Sequence, residues 1–500
     1  GAFDLTKLIQ RSDSTLLLGV ADLPAQQSQH EVYFMPDVDG SIAIFGTGGS
    51  GKSVVLRTLA AAAGITPRGG PVEVYGLDFA TGSLRMLEAL PHVSSIVSGD
   101  DPERVVRLLR LLKDRLDFRS QKYAEINAGS IADYRRLASQ PNEPRMLLLI
   151  DGFPSFRQEF ETAAGRAQWF GVVQQLIAEG RQLGIHVALT ADRSSSIPSS
   201  INSSVQRRVV LRLAEETGYS LLDVPSDVLT SKSPAGRAIV DGLETQIAII
   251  GGHTDVLDQA KATAALGDAM RRAGRTDVPP IGTLPRQYEQ DTLPAGLDGN
   301  PVLGISESDL GPVSFEPVGV FLLAGPPASG RTVGLRGLTR SVTRAFPKAR
   351  AYYLGMARSS LPTDVKWTGT ARTVEEAGEL AKEVLAALPS AKEKVLVVIE
   401  GINDFLSTTA DASLVELIKA IKRTDHLLIA EAETAAWGSS WPLLGEVKSA
   451  RTGFILQPES IDGDLLLKTP LPRTSRSEFP EGRGYFVTRG KAIRVQLPLT

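Results

Sequence analysis

The chain has 500 residues, 42% of them hydrophobic and 22% charged, which suits two to four folded domains and excludes a disordered polypeptide. A net charge of −3 gives no overall pull toward nucleic acid or anionic lipid, and the absence of cysteine excludes disulfides and thiolate metal sites. No apolar run approaches the roughly 18 residues that span a bilayer, and no basic-then-apolar signal segment opens the chain. Its 5 histidines lack ligand spacing, which argues against a structural metal site. The start, GAFDL, reads as the edge of a segment of a longer protein.

Taken in order, LLLGVADLPAQQ (16–27) leads to an apolar strand, SIAIFG (41–46), and then to GTGGSGKS (46–53). A helix follows in KSVVLRTLAAAAG. The next clear helix opens at SGDDPERVVRLLRLLKDRL (98–116). There Asp101 serves as cap, Pro102 suits the first turn, and Val105, Leu108, Leu109, Leu112 and Leu116 form a stripe for core packing. RMLLLIDGF (145–153) and HVALTADR (186–193) are further strands, and GRAIVDGLETQIAII (236–250) closes the first half. The segment 277–301 is rich in proline and glycine and is expected to be a linker.

The same landmarks then recur. PVLGISESDLGPV (301–313), the strand GVFLLAG (319–325), GPPASGRT (325–332), KVLVVIEGI (394–402) and GRGYFVTRGKAIRVQL (482–497) repeat the first half in order. Strands alternating with helices imply an α/β fold. The expectation is tandem P-loop NTPase (RecA-like) domains at 1–276 and 277–500, each a mostly parallel sheet with helices on both faces.

Gly46, Thr47, Gly48, Gly49, Ser50, Gly51, Lys52 and Ser53 satisfy G-x-x-x-x-G-K-[ST] at every position. In this pattern glycines let backbone N–H groups wrap an anion at a helix N-terminus, the lysine reaches the β- and γ-phosphates, and the hydroxyl joins Mg²⁺. ATP and Mg²⁺ are the expected cofactors. Asp151, ending MLLLID, is the expected second magnesium ligand, and Lys52 and Asp151 are the expected catalytic pair. Gly152 stands where a hydrolytic ATPase has a glutamate, so slow hydrolysis is expected. Thr190 and Asp192 are candidates for sensing the γ-phosphate or mark a plain strand end. Arg193, Arg207 and Arg208 are arginine-finger candidates or ordinary surface arginines.

The second loop departs from the pattern. Gly325, Ala328, Ser329, Gly330 and Thr332 keep its outline, but Arg331 replaces the lysine and Pro326 and Pro327 remove two N–H donors. An arginine still makes bidentate bonds to phosphate, so the loop keeps the means to hold an anion. Glu400 stands for the expected aspartate. These residues define a degenerate second nucleotide site. Trp437 and Trp441 stand at helical i, i+4 spacing, with core packing expected and a partner anchor as the alternative.

LGVADLPAQQSQ, LDFATGSLRMLEALPHV (77–93), GDDPERVVRLL, EGRQLGIHVALTADR and IPSSINSSVQRRVVLRL (197–213) resemble the FtsK/SpoIIIE branch of ring-forming P-loop ATPases. The nearer likeness is to the EccC ATPases of bacterial type VII secretion, over their two C-terminal ATPase domains. That resemblance implies a motor at the inner face of the cell membrane that exports small helical-hairpin proteins of the WXG100 type. It implies that the last ATPase domain receives a signal at the substrate's C-terminus. It also implies membrane-anchored secretion components or a first ATPase domain as partners, and a homo-oligomeric ring. A DNA translocase is the alternative, disfavoured by the near-neutral charge and the altered catalytic positions.

Overall fold

Alternation along the central strands gives each half of the chain a core on either face of its sheet. The computed structural model describes residues 2–7, 12–359 and 363–499, and the chain separates into two units, Gly1–Gly282 and Thr283–Thr500.

The first unit builds one sheet from β1 (Phe3–Asp4), β2 (Leu16–Leu23), β3 (Ser28–Phe34), β4 (Ile42–Phe45), β5 (Val72–Asp78), β6 (Val93–Ser98), β7 (Arg145–Asp151), β8 (Ile185–Ala191), β9 (Arg207–Leu211), β10 (Arg237–Val240) and β11 (Leu243–Ile249). The strand order is β3-β2-β11-β10-β9-β4-β8-β7-β5-β6, with β1 beside β11. Strands β9, β4, β8, β7, β5 and β6 are parallel, and antiparallel strands extend the β9 edge. On β7, Leu148 and Ile150 face the helices Pro102–Glu125, Phe153–Phe160 and Ala167–Glu179. Leu147 and Leu149 face the other way, toward the helix Lys52–Gly64. The stripe Val105, Leu108, Leu109, Leu112 and Leu116 is buried, and Asp101 caps that helix by accepting from Arg104 N at 3.2 Å.

The second unit repeats this path, with no counterpart of β1 among the described residues, in β12 (Val302–Ser306), β13 (Pro312–Ser314), β14 (Gly319–Gly325), β15 (Arg350–Leu354), β16 (Trp367–Ala371), β17 (Val395–Ile399), β18 (Leu427–Glu433), β19 (Gly453–Leu456), β20 (Arg483–Thr488) and β21 (Lys491–Gln496). Its order, β13-β12-β21-β20-β19-β14-β18-β17-β15-β16, is that of the first unit. Among the described residues no helix is long and apolar enough to cross a membrane.

The first unit ends after Gly282, beyond the Thr276 expected from sequence, because that proline-rich stretch is hydrogen bonded into it. Ser94 Oγ donates to Pro279 O at 2.6 Å, Ile281 N donates to Ser95 Oγ at 2.9 Å, and Arg107 holds Gly282 O at 2.6 Å. Residues further on belong equally firmly to the second unit, where Gln290 Nε2 donates to Gly337 O at 2.8 Å. The start of the segment 277–301 thus packs on the first unit and Gln290 on the second.

Trp437 is fully buried while Trp441 is 47% exposed, so the i, i+4 pair is split between core and surface. Gly438 ends the short helix Thr434–Trp437, and a new helix, Pro442–Lys448, starts after Trp441. Trp437→Ala should therefore cost the second unit about 3–5 kcal/mol, and Trp441→Ala no more than about 0.5, in urea unfolding.

Two buried histidines give the first unit an acid limit. Burial pushes His92 down to about 4, partly opposed by its 2.6 Å contact with Ala60 O. Burial and then Arg145 hold His186 well below its ordinary 6.5. Both are neutral in the folded state and gain a proton on unfolding. Their contribution is complete above pH 6.5 and falls as pH drops toward 4, by up to about 3 kcal/mol for His92. Unfolding titrations of wild type and His92→Gln should diverge over that window; parallel curves would contradict the assignment.

Candidate functional site

Strands β4, β7 and β8 end side by side, the usual crevice for ligands in parallel sheets. The loop 46–53 leaves β4 there and runs into the helix Lys52–Gly64. Its shape depends on glycine at two left-handed corners, Gly49 (φ 68°) and Gly51 (φ 107°). At Gly51 a Cβ would also lie 2.9 Å from Gly236 N, in the turn that donates to Ser50 O at 2.9 Å. The entry is fixed by Gly46 N donating to Ala191 O (3.2 Å) and Thr47 N to Arg212 O (2.9 Å). The N–H groups of Gly48, Gly49 and Gly51 have no acceptor among the described residues.

Lys52 Nζ lies back on the loop, donating to Gly46 O and to Thr47 O at 3.0 Å. Burial lowers its pKa, opposed by Asp151 and Asp192, which keep a negative field at the ammonium. Ser53 Oγ donates to Asp151 Oδ2 at 2.6 Å. Thr190 Oγ1 donates to Asp151 Oδ1 at 2.7 Å and accepts from Gly152 N at 2.8 Å. Asp151 is thus gripped at both oxygens by hydroxyls. The donor set fits a nucleoside triphosphate with Mg²⁺: unpaired N–H groups for phosphate, a cation, and a hydroxyl–carboxylate pair of hard oxygens for the metal. No group of three or more His, Asp or Glu that would hold a metal unaided occurs among the described residues.

Gly152 is left-handed (φ 80°), and a Cβ there would stand 3.0 Å from Phe79 C and O. A glutamate cannot sit at that corner without moving the backbone. The other candidates separate. Asp192 accepts from Ser196 Oγ at 2.6 Å, and the Arg193 side chain is 71% exposed at the end of β8. Arg208 donates to Asn202 at 3.3 Å. Arg207 lies at the start of β9, opposite Ile42 and so at the far end of the sheet from the loop. Its guanidinium pairs with Asp241 and Asp39 and bonds Tyr33 O, and its side chain is 9% exposed, so it braces the sheet.

In the second unit the loop 325–332 holds the same course. Gly330 (φ 94°) matches Gly51, and Ala328 takes φ 60° where Gly49 took 68°, a strain of about 1 kcal/mol for a residue with a Cβ. Ser329 Oγ donates to Pro326 O at 2.7 Å, and Gly482 N donates to Ser329 O at 2.9 Å. Arg331 does not face the cradle alone. It forms ion pairs with Glu431 and with Glu433, the latter at 3.2 Å. In the parallel register Glu431 is opposite Leu323 as Thr190 is opposite Ile44, and Leu323 and Ile44 each stand two residues before the first glycine of their loop, Gly325 and Gly46. Glu431 accepts from Gly401 N at 2.9 Å, just as Thr190 accepts from Gly152 N. Burial raises the Glu431 pKa and Arg331 pulls it back. Glu400 is bonded to the Tyr353 hydroxyl. Sequence reasoning missed Glu431 and Glu433; the doublet in LLIAEAE was the available signal, but only register places it on Arg331.

Residues 10–235 match the family model described as the FtsK/SpoIIIE family. The ESX-4 secretion system protein EccC4 of Mycobacterium tuberculosis is 30% identical over 67% of this chain and 27% of its own length. The ESX secretion system protein EccC of Thermomonospora curvata is 26% identical over 96% of this chain and 39% of its own. ESX-1 secretion system protein EccCb1 of Mycolicibacterium smegmatis (strain MKD8) is 30% identical over 70% of this chain and 62% of its own. The chain thus spans only part of the length of these relatives. Among solved structures, EssC (ATPases 2 and 3) of Geobacillus thermodenitrificans superposes with a TM-score of 0.76 at 20% identity, covering 98% of this chain and 97% of that one. Thermomonospora curvata EccC (ATPases 2 and 3), in complex with a signal sequence peptide, gives 0.72 at 23% identity, covering 97% and 93%. At these identities the likeness is one of fold. The first unit thus carries an FtsK/SpoIIIE-family domain, and over both units the chain is similar to the EccC protein of Thermomonospora curvata and shares the fold of ATPases 2 and 3 of EccC and EssC.

Proposed function

We propose that the chain is the nucleotide-binding and signal-receiving module of a type VII secretion motor. In this reading the first unit binds ATP–Mg²⁺ and the second receives the C-terminal signal of small helical-hairpin cargo of the WXG100 type. The observation that carries it is the contrast between the two loops: one presents free N–H donors and a movable lysine, the other an arginine already neutralised by two carboxylates.

Each side chain of the first site then has a task. The N–H groups of Gly48, Gly49 and Gly51 take phosphate oxygens, with the helix N-terminus behind them. Lys52 exchanges its two carbonyl partners for the β- and γ-phosphates. Ser53 and Asp151 hold the metal, which supplies charge neutralisation across the phosphates, and Thr190 keeps Asp151 aimed at it. Gly152 brings no carboxylate to polarise a water, so turnover is slow. The second unit is a receptor and not a motor because Arg331, Glu431 and Glu433 satisfy one another, and two prolines remove donors from its cradle. The signal peptide bound in the solved Thermomonospora curvata relative supports a receptor role. Partner components at the inner face of the membrane, and further copies in a ring, complete the proposed setting.

Capture of a WXG100-type hairpin protein by the purified chain should require the hairpin's C-terminal tail. The chain should turn over ATP well below the roughly 10 per second of a typical enzyme. Capture without the tail overturns the signal-receptor reading; fast turnover, or a salt-sensitive complex with duplex DNA, points to a translocase instead.

The internal ion pair is tested separately. Glu431→Gln leaves Arg331 paired with Glu433 alone and should destabilise the second unit by about 1–3 kcal/mol, whereas Arg331→Met with Glu431→Gln, which removes the charge and keeps an acceptor for Gly401 N, should cost less. Equal losses in urea unfolding would show that the pair is not self-contained.

A further inference from the structure

One cation at the first loop lies outside the G-x-x-x-x-G-K-[ST] pattern. Arg212 follows the last residue of β9 and meets the loop twice. Its backbone O accepts from Thr47 N at 2.9 Å, and its Nη2 donates to Gly49 O at 3.0 Å. Its Nη1 donates to Ser233 O at 2.7 Å, which fixes the guanidinium from the far side. Two contacts thus tie the entry and the left-handed corner of the loop to one residue, and the third anchors that residue outside the loop. No carboxylate pairs with it among the described residues, so its charge stays unneutralised beside the cradle.

Both features matter to an anion. A Gly49 carbonyl bonded to a guanidinium is not free to rotate inward and repel phosphate oxygens. A planar, permanently charged group at the rim also adds attraction that a neutral donor lacks. The second unit again supplies the contrast. Gln457 follows the last residue of β19, is uncharged, and turns its Nε2 away to Phe479 O at 3.1 Å.

We propose that Arg212 is a positioning residue for phosphate binding in the first unit, holding the loop open through Gly49 and contributing the unneutralised charge at its rim. This rests on reading 46–53 as a nucleotide site. Because Arg212 acts on the loop's corner and not on the terminal phosphate, it serves a nucleoside di- and triphosphate alike.

The test is calorimetry of the full chain with ATP–Mg²⁺ and ADP–Mg²⁺, with apo unfolding measured in parallel. Arg212→Gln should weaken both nucleotides by about tenfold, the size of one charge-assisted contact, and leave their ratio and the apo unfolding midpoint unchanged. Arg212→Lys, which keeps the charge, should recover part of the loss. Wild-type protein that binds neither nucleotide refutes the site itself. Wild-type binding with Arg212→Gln equally tight refutes the role of Arg212 alone. A loss matched by an equal drop in apo stability, with no recovery in Arg212→Lys, reduces the residue to a structural brace and also overturns the proposal.

Discussion

A neutral hydroxyl at Thr190 leaves the charge balance of the first loop to Lys52 and Asp151, and an acid at the matching position, Glu431, transfers that balance to the protein itself. Both side chains satisfy the same backbone donor, the N–H after the β7 or β17 acid. The scaffold therefore tolerates either. What changes is the partner left for the cation of the loop. Lys52 rests on two carbonyls, which a phosphate can replace at little cost. Arg331 rests on two carboxylates, and an incoming phosphate would have to displace charge with charge.

The backbone sets a second limit. Gly152 and Gly401 both adopt left-handed conformations directly after the strand-terminal acid, with φ of 80° and 66°. That corner starts the following helical turn in each unit, and at Gly152 it would bring any Cβ against the Phe79 carbonyl. Slow hydrolysis in the proposed function is thus tied to the path of the main chain. Binding and turnover separate physically: the first depends on the loop and on the hydroxyl grip on Asp151, the second on a carboxylate that this corner excludes.

Much of this was legible from local pattern. The G-x-x-x-x-G-K-[ST] run, the apolar strands before it and before Asp151, and the repeated closing hairpins identified two like sheets, because strand burial and glycine turns are local properties. Long-range pairings were not legible. Arg331 meets Glu431 a hundred positions later, and only the parallel pairing of β14 with β18 brings them together. Sequence leaves Arg207 a finger candidate or an ordinary surface arginine; its depth at the start of β9 appears only once the strand direction is known. The tryptophan spacing was read as one helix, but Gly438 and Pro442 split it into two short ones.

The central claim is that one fold appears twice with one phosphate site ready to take an anion and one neutralised from within. The most direct measurement is the stoichiometry of ATP–Mg²⁺ binding to the intact chain by calorimetry, repeated on Lys52→Ala. The account predicts a single site per chain that disappears in Lys52→Ala. Two sites, or one that survives that substitution, would contradict it.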